Sequence, residues 1–139
     1  MTNHVRTAVV ETPLDAAAIT ANIENPRCGA VVTFCGVVRN HDAGLDVIAI
    51  DYSAHPSAGP IMKDIADRVV QDHGVHAIEA WHRVGRLTVG EVAMVVAAAA
   101  EHRAQAFAAV QSLVDEVKTS VPVWKCQILS DDSRRWSGL

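Results

Sequence analysis

The sequence predicts an α+β fold in which about three helices pack on a mainly antiparallel sheet. Three observations carry that expectation. The apolar periodicities run in the order β-α-β-β-α-β-β-α-β, so strands follow strands as well as helices. Half of the residues are apolar, with 22 Ala and 21 Val against six aromatic residues. A core of small and β-branched side chains suits strands and closely packed helices. The length of 139 residues suits one core, and a single domain over 1–139 is expected, with a short polar tail from about 130.

Val5 to Glu11 reads as a first strand. Thr12-Pro13-Leu14-Asp15 reads as a helix start, with Thr12 as N-cap, Pro13 at the first helical position and Asp15 in the first turn. This helix should stop before Asn25-Pro26. The apolar, β-branched run Cys28 to Val38 predicts a strand buried on both faces or held at a sheet centre, with Arg39 at its end. Asn40 to Gly44 reads as a mobile loop. Val47 to Ala54 alternates, placing Ile48, Ile50 and Tyr52 on one face of a second long strand, expected to run antiparallel to the first.

Ile61, Ile65 and Val69 recur at helical spacing, and Gly74 stands where a left-handed cap belongs, so a helix is expected over Ser57 to His73. Val75 to Val84 and Glu91 to Ala100 read as strands joined through Gly85 to Gly90. Ala106, Val110, Leu113 and Val117 mark a helix from about His102 to Lys118. In the last strand, Val121 to Leu129, Trp124, Cys126 and Ile128 share one face while Val123, Lys125 and Gln127 share the other. A ferredoxin-like or hammerhead variant describes this order.

Net charge is −4, which offers no overall attraction to nucleic acid or an anionic membrane, so an anion site must be a local basic cluster. The charge-free run Val92 to Ala100 has nine residues, under half of the roughly 20 that span a bilayer. Met1 to Val10 shows no signal-peptide pattern, and a cytosolic location is expected. Cys28, Cys35 and Cys126 form no CxxC pair and read as small hydrophobes. The seven histidines show neither HxH nor HxxxH spacing, so no metal site is expected. GxSxG and GxxxxGK[ST] are both missing, which disfavours serine-triad chemistry and nucleotide hydrolysis.

Cations at the ends of elements are more informative: Arg39 after a strand, His102-Arg103 opening a helix, Lys118 closing it, and Lys125 in the last strand. Ordinary explanations stand beside each. Lys118 suits the helix macrodipole, and Arg39 suits a solvated strand end. Arg103 opposes the dipole, which hints at an anionic ligand unless a carboxylate such as Glu101 compensates. Lys125 projects from an apolar strand, where partial desolvation favours nucleophilic or general-base work; a salt bridge or snorkelling is the alternative. Arg103 and Lys118 are 15 residues apart on one predicted helix, about 22 Å. If both serve one ligand, a symmetric dimer sharing its sites is the simplest arrangement.

The segment Gly29 to Asn40, then His82-Arg83-Val84-Gly85, Gly90-Glu91, His102-Arg103 with Ala106-Phe107, and Lys118-Thr119-Ser120-Val121-Pro122-Val123-Trp124-Lys125 resemble the large, catalytic subunit of molybdopterin synthase. The match runs from about Gly29 to Trp136. The resemblance implies an enzyme, a sulfurtransferase of molybdenum cofactor biosynthesis that converts cyclic pyranopterin monophosphate to molybdopterin. Sulfur would come from the thiocarboxylated Gly-Gly tail of a small ubiquitin-like carrier subunit, twice per product. A homodimer with one carrier at each end, a heterotetramer, is implied, and no cofactor. Carried over by position, Lys118 is the leading catalytic lysine and Lys125 its companion. Arg39, His102 and Arg103 would bind phosphate and pterin oxygens, with Val37, Val38, Cys126 and Gln127 lining the same pocket. The alternative from another class is a non-catalytic dimeric module that holds a ubiquitin-like partner or a phosphorylated metabolite.

Overall fold

The computed structural model describes residues 3–139. The signal-peptide reading of Met1 to Val10 therefore lies in part outside the described residues. Nine strands and three helices follow in the order β1 (His4–Val10), α1 (Ala16–Asn22), β2 (Ala30–Val37), β3 (His41–Asp42), β4 (Leu45–Ala54), α2 (Ala58–His73), β5 (Ala77–Arg83), β6 (Gly85–Thr88), β7 (Val92–Ala100), α3 (Arg103–Ser120), β8 (Val123–Leu129) and β9 (Arg134–Gly138). The α+β expectation holds, with three helices on mostly antiparallel strands. Among the described residues no helix is long and apolar enough to cross a membrane.

The first sheet has the order β1-β5-β7-β2, with β1 parallel to β5 and the other pairs antiparallel. Strand β7 lies inside it and is covered on both faces, which is why nine residues in succession carry no charge. Met94, Val96, Ala98 and Ala100 face α2 and α3, while Val95, Ala97 and Ala99 face α1. The alanines allow the helices to approach closely. Ala98 is fully buried, and Ala98→Leu should cost about 1–3 kcal/mol by overpacking. A denaturant midpoint equal to that of the unmodified chain would contradict the close packing described.

The second sheet has the order β3-β4-β8-β9, with β6 also paired to β4. Its apolar side is formed by Val38, Val47, Ile50, Leu87, Ala93 and Leu129.

Several expectations need correction. Strand β2 is an edge strand whose residues alternate between exposed and half-buried, and Val31 and Val37 face outward. Its continuous apolar run made it look central. Strand β4 pairs with β6 and β8, not with β2. A bulge between Val47 and Ala49 breaks the alternation, so Ile48 is exposed while Val47, Ala49 and Ile50 are buried. Asn40 to Gly44 is no open loop: β3 and β4 form a hairpin whose two turn residues, Ala43 and Gly44, both have positive φ (50° and 78°). The first helix begins later than Thr12. Asp15 is its N-cap, accepting a hydrogen bond from the Ala18 N–H at 3.1 Å. The Gly85 to Gly90 connection contains β6, and the polar tail contains β9, which pairs with β8. Both strands are short, four and five residues with few apolar side chains, so neither shows an apolar period.

Candidate active site

A cleft of about 370 Å³ opens where the two sheets meet the C-terminal end of α3. Each side chain arrives there for a local reason. A second bulge, between Gly36 and Val37, ends the β2–β7 register and turns Val38 into the core of the second sheet, so Arg39 follows at the rim. The Val38 N–H donates to the Glu91 carbonyl at 3.0 Å, and the Gly90 N–H donates to the Val38 carbonyl at 2.9 Å, which pins this turn to the β6–β7 connection. Lys118 comes from the last turns of α3, and Lys125 and Gln127 come from one face of β8.

Glu91 secures the same connection. Its carboxylate accepts from the Thr88 N–H at 3.0 Å, the Thr88 hydroxyl at 2.7 Å and Arg83 Nη1 at 2.6 Å. The Thr88 donors first, then Arg83, hold its pKa at about 2. A carboxyl depressed on folding contributes stability that is fully present above its unfolded value and lost as pH falls toward about 2. Thermal melts between pH 5 and pH 2 should therefore show a steeper loss for the unmodified chain than for Glu91→Gln. Parallel curves would contradict the clamp.

The electrostatics of the cleft are set by three cations and a small acceptor group. Burial, above all, lowers the pKa of Lys125; Asp42 opposes this, and Lys118, Arg39 and Arg135 add to it. Asp42 accepts from Gln127 Nε2 at 2.9 Å and stands 3.5 Å from both Arg39 and Arg135. The Gln127 bond chiefly holds the Asp42 carboxyl below its ordinary pKa. That bond commits the Gln127 amide, yet Gln127 Oε1 is buried with no donor among the described residues. A buried acceptor without a partner is costly and is a place where a ligand N–H can be satisfied.

The structure gathers Val37, Val38, Arg39, Lys118, Lys125 and Gln127 of the residues named from sequence. It does not gather the rest. Cys126 is fully buried on the opposite face of β8 from Lys125, with Arg134 Nη1 3.9 Å from its sulfur, so it does not line the cleft. His102 and Arg103 stand at the other end of α3, which runs unbroken from Arg103 to Ser120 and so keeps Arg103 about 22 Å from Lys118. Glu101 does not compensate Arg103. It accepts from His76 at 3.0 Å and lies 3.9 Å from Arg27, while Arg103 has no carboxylate partner among the described residues.

His82, Tyr52, His41, Asp42 and Leu139 are at or beside the cleft and lie outside the set of site residues expected from sequence. Leu139 arrives through β9, the strand that the tail concealed. For His82 a sequence signal existed: it continues the core-facing alternation of Ile78 and Ala80, where an imidazole is out of place.

A family model described as MoaE protein matches residues 9–120. The chain belongs to the MoaE family. A curated relative of this MoaE chain, molybdopterin synthase catalytic subunit 1 of Mycobacterium tuberculosis, is 35% identical over 132 residues, covering 94% of this chain and 88% of that protein. The crystal structure of molybdopterin synthase from Staphylococcus aureus superposes with a TM-score of 0.87 at 28% identity, covering 94% of this chain and 96% of that one. A chain from a complex of subunits 1 and 2 of molybdopterin-converting factor from Helicobacter pylori shares the fold, at a TM-score of 0.69 and 17% identity, over 94% of this chain and 89% of that one. Membership gives this MoaE chain the family's role, that of a molybdopterin synthase catalytic subunit.

Proposed function

We propose that this MoaE chain transfers sulfur to cyclic pyranopterin monophosphate within the cleft, taking it from the thiocarboxylated C-terminus of a small ubiquitin-like carrier subunit. The observation that carries the reading is the convergence of Arg39, Lys118 and Lys125 on one cleft in a chain of net charge −4. Both reactants are anions, and this is where the chain concentrates positive charge around a concave surface.

In each transfer the thiocarboxylate sulfur bonds to a side-chain carbon of the pyranopterin and the oxygen that carbon held departs, once as the phosphate oxygen freed when the cyclic ester opens and once as water. Water then breaks the acyl carbon–sulfur bond, and the carrier leaves as an ordinary carboxylate. Two such transfers build the dithiolene. Lys125, whose lowered pKa increases its neutral fraction, handles the proton at the attacked carbon or on the departing carboxylate. Lys118, without a carboxylate partner among the described residues, stabilises the negative charge that develops. Arg39 holds phosphate or pterin oxygens through its planar fork, and Gln127 Oε1 receives a pterin N–H. His102 and Arg103 enter from a second copy of the chain, since their own cleft lies a helix length away. The working unit is then a homodimer that binds one carrier per site.

Mass spectrometry of the carrier tests this. Conversion of its thiocarboxylate to carboxylate, dependent on both this chain and the pyranopterin, is the expected result. Binding of both reactants without conversion would leave a non-catalytic module and overturn the reading.

A further inference from the structure

We propose that His82 is a further substrate-contacting residue of this cleft, its Nε2 accepting a hydrogen bond from a ring N–H of a phosphorylated nitrogen heterocycle. The inference rests on the cleft being the substrate site, and it adds to that reading the chemistry the site selects.

The geometry fixes the tautomer. His82 Nδ1 lies 2.8 Å from the Arg83 carbonyl oxygen, and a carbonyl can only accept, so Nδ1 carries the hydrogen. In the neutral ring Nε2 is then an acceptor. His82 as a residue is 2% exposed, and its ring stands edge-on to Tyr52, with centroids 5.2 Å apart and planes at 70°, so it has little freedom to turn away. It nevertheless lines the cleft, and no donor from the described residues reaches Nε2.

The surroundings keep the ring neutral. Lys118 faces it from α3, Lys125 from β8, Arg39 and His41 from the segment around the β2–β3 turn, and Tyr52 from β4. Arg83, next in its own strand, is occupied by Glu91. The flanking strand residues, Val9 on β1 and Met94 on β7, carry no titratable group. Burial chiefly lowers the His82 pKa; Lys118 adds to this, and the Arg83 carbonyl works against it.

In their charged forms Arg39, Lys118 and Lys125 only donate, so they hold an anion but as cations cannot read a ring N–H. Nε2 of His82 and Oε1 of Gln127 are neutral acceptors set among them. An inorganic anion uses the cations alone, whereas a phosphorylated heterocycle with ring N–H groups uses both sets. This is the arrangement that disfavours an isostere lacking the donors, because Gln127 Oε1 would then stay buried and unpaired and His82 Nε2 would face the cleft without a donor.

The test is steady-state kinetics of the assembled enzyme, with saturating thiocarboxylated carrier, for His82→Leu, His82→Gln and Lys118→Ala. Leu removes the acceptor; Gln keeps an amide acceptor near the Nε2 position. We expect His82→Leu to raise KM for the pyranopterin by about tenfold, with kcat changed much less, and His82→Gln to recover most of that loss. The KM of the unmodified enzyme should rise as pH falls below the ordinary imidazole range, and this acid limb should be missing in His82→Gln. An unchanged KM in His82→Leu, or an acid limb that persists in His82→Gln, would overturn the proposal. Circular dichroism checks the fold of His82→Leu, and if it is unfolded the pH profile of His82→Gln decides alone. Full activity in Lys118→Ala would sink the reading of the cleft and this inference with it. An inactive Lys118→Ala beside His82 variants of normal KM would sink the inference only.

Discussion

Lys118→Ala is expected to lower the rate of sulfur transfer by about 10²–10⁴-fold while leaving the fold intact. The fold should survive because Lys118 lies in the exposed last turn of α3, two residues from Ser120, and the apolar face of that helix is carried by Ala106, Ala109, Val110, Leu113, Val114 and Val117. The rate should fall because the substituted cleft keeps Arg39 and Lys125 for binding but loses the charge opposite the reacting atoms. Single-turnover kinetics with saturating carrier separate the two. Loss of the chemical step with near-normal pyranopterin affinity is the expected pattern. Transfer at the unmodified rate would show that Lys118 has no catalytic part.

The second large effect is complementation. Arg103→Ala and Lys118→Ala chains should each be nearly inactive alone, and mixing them after reversible dissociation should restore about a quarter of the unmodified activity. The figure follows from random pairing. Half of the dimers are mixed, and each mixed dimer has one site with both Arg103 and Lys118 and one site with neither. The physical basis is the unbroken α3, which holds Arg103 about 22 Å from Lys118 of its own chain. Failure of every mixture to regain activity, with mixed dimers demonstrated by mass, would sink the shared site.

What was legible in the sequence, and what was not, follows from how far a residue's position depends on local chain geometry. Strand β7 could be read because cover on both faces demands an uninterrupted apolar run, and α2 because its apolar stripe ends at Gly74, a left-handed cap with φ 65°. Lys125 and Gln127 could be placed on one face because strand alternation is a property of β8 alone. Pairing was harder. The runs that become β2 and β4 both look like neighbours in one sheet, yet the Ala43-Gly44 turn gives β4 a different hairpin partner, and two bulges shift side chains that strict alternation would misplace.

The same distinction explains the site. Arg39 stands out as a cation closing an apolar strand, while Cys126 enters the expected pocket only through the family resemblance, although it and Lys125, as successive strand residues, point to opposite faces. His82 and Leu139 reach the cleft only through the packing of one sheet against the other and through β9, which no apolar period announced. Glu101 illustrates the limit in the other direction. Adjacency suggests that it neutralises the start of α3, but the fold gives it His76 and Arg27 instead, and Arg103 has no carboxylate partner among the described residues.

The most direct measurement is mass spectrometry of the pterin product formed by this chain from cyclic pyranopterin monophosphate and a thiocarboxylated carrier. The predicted result is a dithiolene-bearing product with two carrier thiocarboxylates consumed for each one made. Recovery of unchanged pyranopterin, with the carrier still thiocarboxylated, would contradict the account.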